Sequence, residues 1–121
     1  MELKKITICG KEVEFVNQYR NTRMGFAHDT TMFVDGRQYG TATCNYYNRT
    51  WECYTYQTVM LTVVHNLSEA RQSYLKDRFK ADHNYQKMTP KRTQEFEVVL
   101  NDDEEYKFYQ TLYKRLSDRY V

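Results

Sequence analysis

The hydrophobic period of this chain switches from two to about 3.6 near its middle, and that switch limits what it can fold into. Up to about residue 45 apolar and polar residues alternate, whereas from Tyr56 to Phe79 apolar residues recur every three or four positions. Period two lays down a strand with one face on a core, and period 3.6 lays down a helix with one buried stripe. Ile6 and Ile8 alternate with polar neighbours, Cys9-Gly10-Lys11 reads as a turn, and Val13, Phe15, Asn17 and Tyr19 continue the pattern. Phe26 to Val34 is a further strand. Asp35-Gly36 then supplies the positive φ angles of a tight hairpin. Tyr39, Thr41 and Thr43 alternate on the return strand, which runs into Asn45-Tyr46-Tyr47. The simplest account is a four-stranded antiparallel meander.

Beyond Trp51, residues Tyr56, Val59, Met60, Val63, Val64 and Leu67 form one apolar stripe, with Thr50 or Thr55 as its cap. Ser68 marks a place where this helix breaks and a second begins, with Leu67, Arg71, Tyr74, Leu75 and Phe79 at helical spacing. Asp82 to Thr93 has no period and contains the only proline, so it reads as a loop. Phe96, Val98 and Leu100 alternate as one more strand. Asn101 then caps a last helix with acids in its first turn, Lys114 and Arg115 near its end, and Phe108, Tyr109, Leu112, Tyr113 and Leu116 on its buried face. The expected fold class is α+β: an antiparallel β-meander followed by helices, with one further strand before a C-terminal helix. At 121 residues, with no repeat and no linker, residues 1–121 form a single domain.

The formal charge of +2 gives no global field that would demand nucleic acid or an anionic membrane. Locally the charge is uneven. Arg71 to Arg92 carries seven Lys/Arg against two Asp, while Glu95 to Glu105 carries six acids and no base. Twelve tyrosines beside one proline and four glycines argue against disorder and supply rigid amphipathic contact area. That much aromatic surface on so small a core points to a homo-oligomer. Cys9, Cys44 and Cys53 are odd in number and have no C-x-x-C spacing. With no signal peptide and no membrane-length apolar run, the expectation is a reduced intracellular protein, so the glycosylation patterns at Asn48 and Asn66 are accidents of composition.

Catalysis is not expected. His28, His65 and His83 fall in three different elements, and no H-E-x-x-H, G-x-S-x-G, Walker or G-x-G-x-x-G pattern occurs. A thiol–imidazole pairing such as Cys53 with His65 is open to the sequence, and a small buried thiol near a helix is its ordinary reading. No cofactor or metal is called for. What remains is a set of arginines beside aromatic and amide side chains: Arg20, Arg23, Arg49, Tyr74, Arg78, Asn84, Arg92 and Thr93, with Lys91 in the same basic stretch. Arginine forks onto phosphate, an aromatic face stacks on a purine, and asparagine reads a base or ribose edge. Each arginine alone is ordinarily a solvated or acid-paired side chain; the set, concentrated in the basic middle, favours an anionic ligand. Within 45 to 57 (NYYNRTWECYTYQ), Trp51, Tyr54 and Tyr56 are expected to pack the sheet on the first helix or on a second protomer. Arg49 is expected to touch ligand, with Glu52 available to hold an arginine.

The sheet, the Asn48-Arg49-Thr50-Trp51-Glu52 junction and the helices after it resemble small proteins of phages that infect Gram-positive bacteria. Over nearly the whole chain the layout is similar to the first anti-Thoeris family, the phage sponge proteins. The ordered series Arg20, Arg49, Tyr74, Asn84 and Arg92-Thr93 parallels the signal-pocket series of that family. The resemblance implies an anti-defence protein of the infected host's cytoplasm that sequesters a cyclic ADP-ribose isomer, or a cyclic dinucleotide, without cleaving it. It also implies a homodimer or higher oligomer with pockets where protomers meet. Two other classes stay open: a protein-binding inhibitor of a bacterial defence complex, as anti-CRISPR proteins are, using the Asp102–Glu105 cluster or the tyrosine-rich surface, and a nucleic-acid-binding module using the basic 71–92 segment.

Overall fold

The computed structural model describes residues 3–23, 25–45 and 56–119. Four antiparallel strands, β1 (Leu3–Ile8), β2 (Lys11–Thr22), β3 (Gly25–Val34) and β4 (Arg37–Asn45), lie in the order β1-β2-β3-β4. Three helices follow, α1 (Tyr56–Asp82), α2 (Pro90–Asp102) and α3 (Glu104–Arg119). The α+β meander is therefore the fold. The β1–β2 and β3–β4 hairpins have two-residue loops, with Ile8 opposite Lys11 and Val34 opposite Arg37. Both loop residues of each sit at positive φ: Cys9 at 52° and Gly10 at 75°, Asp35 at 51° and Gly36 at 83°. That is the turn whose twist matches paired strands, and it explains Asp-Gly at 35–36. Asp35 secures it further, donating its amide to Glu12 O (2.8 Å) while its Oδ1 accepts the Glu12 amide (2.9 Å). Between Met32–Gly40 and Phe33–Gln38 the register shifts by one, leaving Tyr39 as a bulge on β4.

One sheet face is the floor of the core. Ile6, Ile8, Val13, Phe15, Met32 and Val34 meet Met60, Val63 and Val64 of α1 and Phe108, Tyr109, Leu112 and Leu116 of α3. Two polar side chains on this face pair with each other: the buried Thr30 hydroxyl donates to Asn17 Oδ1. Buried His28 packs its ring at 5.5 Å from Tyr19, and burial first of all pushes its pKa down, with Asp29 opposing. Gly40 lets β4 approach α1, since a Cβ there would sit 3.2–3.3 Å from the Leu67 side chain.

Three local expectations are corrected. α1 runs unbroken through Ser68, because the buried Ser68 Oγ accepts from Gln110 Nε2 of α3 (2.8 Å) instead of competing with its own helix. The strand expected at Phe96, Val98 and Leu100 is helix α2. Thr89 caps it by accepting the Arg92 amide (3.2 Å), and Pro90 starts it with a pre-set φ. Phe96 and Leu100, one turn apart, face inward, and Val98 is 70% exposed on the other side. Consequently the irregular loop spans only residues 83–89. The cap of the last helix is Asp103 and not Asn101: its Oδ2 accepts the Tyr106 amide at 2.9 Å. Acids do occupy the first turn of α3 as expected.

Candidate functional site

The C-terminal half of α1 leaves the main core and builds a second, smaller one with α2. Phe79, Phe96 and Leu100 are buried there, with Leu75, Tyr85, Met88 and Tyr106 packed around them. On its surface opens a cleft of about 250 Å³ lined by Arg71, Tyr74, Leu75, Arg78, Phe79, Asp82, His83 and Val99. Arg71, Tyr74, Leu75, Arg78, Phe79 and Asp82 recur at helical spacing along one side of α1, and so one helix presents them together, with His83 just past its end and Val99 on α2.

Tyr74 is the aromatic surface of the cleft and is 48% exposed. The Arg71 guanidinium lies 5.2 Å from its ring centroid, and Arg78 Nη1 donates to its hydroxyl at 3.2 Å. The two arginines differ in what holds them. Arg71 forks onto Asp103, Nε to Oδ2 at 3.0 Å and Nη2 to Oδ1 at 2.8 Å, with Glu105 Oε1 3.8 Å from Nη1. Those bonds, Arg71's first, hold the Asp103 carboxyl below its usual range, and the Asp103 bond raises Arg71. Glu105 in turn accepts from Tyr109 (3.0 Å), whose phenol burial pushes upward. Arg71 is thus a fixed member of a network reaching into the core. Arg78 is fully exposed, and its raised pKa comes mainly from the Tyr74 hydrogen bond. Its guanidinium is the one available to an anion.

The loop end of the cleft is an aromatic cluster. His83 packs on Phe79 (4.4 Å) and stacks on Tyr85 (5.2 Å, 21°), and the Arg92 guanidinium covers Tyr85 at 3.9 Å. Arg92 Nη1 also donates to Lys87 O at 3.0 Å. Asn84, at φ 57°, terminates α1: its amide donates to Ala81 O (3.2 Å) and that of Tyr85 to Lys80 O (2.8 Å). This pairing of bonds is the Schellman arrangement, and asparagine tolerates its left-handed residue.

Of the residues selected from the sequence, Tyr74 and Arg78 meet in the cleft. Asn84, Arg92 and Thr93 lie around the adjoining loop and the start of α2, where Thr93 donates its amide to Thr89 O (2.8 Å). Arg20 is on β2, held by Asp29 (Nε to Oδ2, 3.1 Å), and exposed Arg23 follows β2; neither lines the cleft. The Thr43 hydroxyl, and after it Arg20, keep Asp29 below the usual carboxylate range. Arg49, with Trp51, Glu52, Cys53, Tyr54 and the caps Thr50 and Thr55, lies outside the described residues. Sequence reasoning did not select Arg71, His83 or Asp103 as site residues. The run of cations from Arg71 was the available signal for the first, whereas nothing local links Arg71 to an acid 32 positions away.

A larger hollow of about 440 Å³ lies between the β1–β2 turn, β4 and α3, beside Cys9, Lys11, Tyr39, Glu104, Glu105, Lys107 and Phe108. Its charges are already engaged. Lys107 is 3.9 Å from Glu104 and from Asp102, Lys11 sits over the Phe108 ring at 5.3 Å, and Glu105 holds Tyr109. The smaller cleft, with its open ring and exposed fork, is the better ligand site. Among the described residues no group of three or more His, Cys, Asp or Glu is placed to hold a metal ion, and no helix is long and apolar enough to cross a membrane. Compared with family models, curated proteins and solved structures, the chain matches none of them.

Proposed function

We infer that this protein binds a nucleotide-type signal in the α1–α2 cleft and holds it without cleaving it. The observation that carries the reading is Tyr74: an exposed ring with Arg71 over it, Arg78 on its hydroxyl, and an apolar wall of Leu75, Phe79 and Val99 beside it. Such a surface stacks a flat base while the exposed guanidinium takes a phosphate. The resemblance to the phage anti-Thoeris sponge proteins names the ligand class, a cyclic ADP-ribose isomer or a cyclic dinucleotide, and the role, anti-defence sequestration in the infected bacterial cell. In this reading a second protomer completes the pocket. Calorimetry against cyclic ADP-ribose isomers, cyclic dinucleotides and single-stranded oligonucleotides tests it. Tight stoichiometric binding of one small nucleotide, recovered intact after heat denaturation, is expected. Recovery of hydrolysed product would make the protein an enzyme, and affinity that grows with oligonucleotide length and collapses in salt would make it a nucleic-acid binder. Light scattering tests the assembly: a species heavier than the 14.7 kDa chain is expected, and a monomer at micromolar concentration opposes a shared pocket.

A further inference from the structure

We propose that His83 is a ligand-reading residue of the cleft, whose Nε2 accepts a hydroxyl from a sugar carried at the far end of the bound nucleotide. This rests on the reading of the cleft as a nucleotide site. The imidazole Nδ1 lies 2.9 Å from Phe79 O. A carbonyl oxygen only accepts, so Nδ1 bears the hydrogen, and in the neutral ring Nε2 is left as a lone-pair acceptor. Phe79 and Tyr85 pack against the ring, and the Nδ1 edge is turned back to the helix. The Nε2 edge is what an exposed His83 offers to the cleft it lines.

The spacing of the lining residues sets what reaches it. Tyr74 and Arg78 are successive stations on α1, and His83, whose amide donates to Phe79 O (3.2 Å), continues its last turn, so at 1.5 Å per residue His83 lies roughly 13 Å along the axis from Tyr74, with Arg78 near the middle. A base on Tyr74 and a phosphate on Arg78 leave His83 opposite whatever follows the phosphate. Asp82 stands beside it, a second acceptor that disfavours another anionic group there. Two acceptors suit a neutral, hydroxyl-bearing group, and a sugar joined through the phosphate is the chemistry that fits.

The experiment compares ADP with ADP-ribose, which differ in the distal sugar, on the full chain and on His83→Phe, in mildly alkaline buffer. Phenylalanine keeps the packing with Phe79 and Tyr85, and the Asn84 and Tyr85 amide bonds still end α1. The substitution is expected to weaken ADP-ribose about tenfold and ADP by less than about twofold. Equal losses for the two ligands, or no loss, would overturn the role of His83 while leaving the cleft a nucleotide site. Failure of the unsubstituted protein to bind either at millimolar concentration would remove both the site and this role. Independently of any ligand, long-range proton–nitrogen correlation spectra should show His83 protonated at Nδ1, and the Nε2–H tautomer would overturn the assignment.

Discussion

Asp103 takes three hydrogen bonds on one carboxylate, two from Arg71 and one from the Tyr106 amide, and so ties α1 to the α2–α3 junction. Asn in its place keeps an oxygen for the cap but removes the charge opposite a half-buried guanidinium. Asp103→Asn should therefore cost about 1–3 kcal/mol at neutral pH. Asp103 has a lowered folded-state pKa, so its contribution is complete above the ordinary aspartate range, near about 3.9, and is lost as pH falls through the lower folded value. Urea unfolding should separate the two proteins at neutral pH and bring them together in acid; a gap that does not depend on pH would contradict the ion pair. Residue-scale chemistry was only partly legible beforehand. Arg71 was visible as one position on a helical face, but its role depends on an acid brought near by tertiary packing. Asn84 was read as a base or ribose contact, and its left-handed conformation supplies a backbone reason for asparagine at that position.

Elements were more legible than residues, because period two and Asp-Gly turns are local and each strand has only one side to bury. The errors fell where two local signals compete. Phe96, Val98 and Leu100 satisfy a strand over three positions, yet Phe96 and Leu100 also satisfy a helix, and Thr89-Pro90 ahead of them decides it. Ser68 looked like a breaker because its partner, Gln110, lies on another helix. The β4–α1 contact gives an element-scale prediction. Gly40→Ala should destabilise by about 1 kcal/mol, since its Cβ would meet Leu67 at 3.2–3.3 Å, a crowding that outweighs the gain in chain stiffness. In a Leu67→Ala background the same change should become neutral or stabilising. A cost that persists without Leu67 would place the constraint on the backbone instead.

At the scale of the whole molecule, one core joins the sheet to α1 and α3, and a smaller one joins α1 to α2. The cleft sits on the smaller core. Phe15→Ala and Phe96→Ala should each cost about 3–5 kcal/mol, both rings being buried, yet they should differ in reach. Hydrogen exchange should quicken mainly in α2 for Phe96→Ala and throughout the sheet for Phe15→Ala, whereas equal acceleration of sheet amides by both would mean a single cooperative unit. The meander, the first turns of α1 and the buried face of α3 were readable from hydrophobic period, whereas α2 was read as a loop and a strand. The site was readable only as a basic, aromatic stretch, because which of its cations is free is decided by partners distant in sequence. The account therefore turns on Arg78, the cleft's wholly exposed arginine. Its replacement by alanine, titrated with the nucleotide that binds the unsubstituted protein best, should lower affinity about tenfold to hundredfold and leave the melting temperature unchanged. Wild-type affinity in a folded Arg78→Ala protein would contradict the cleft as the binding site.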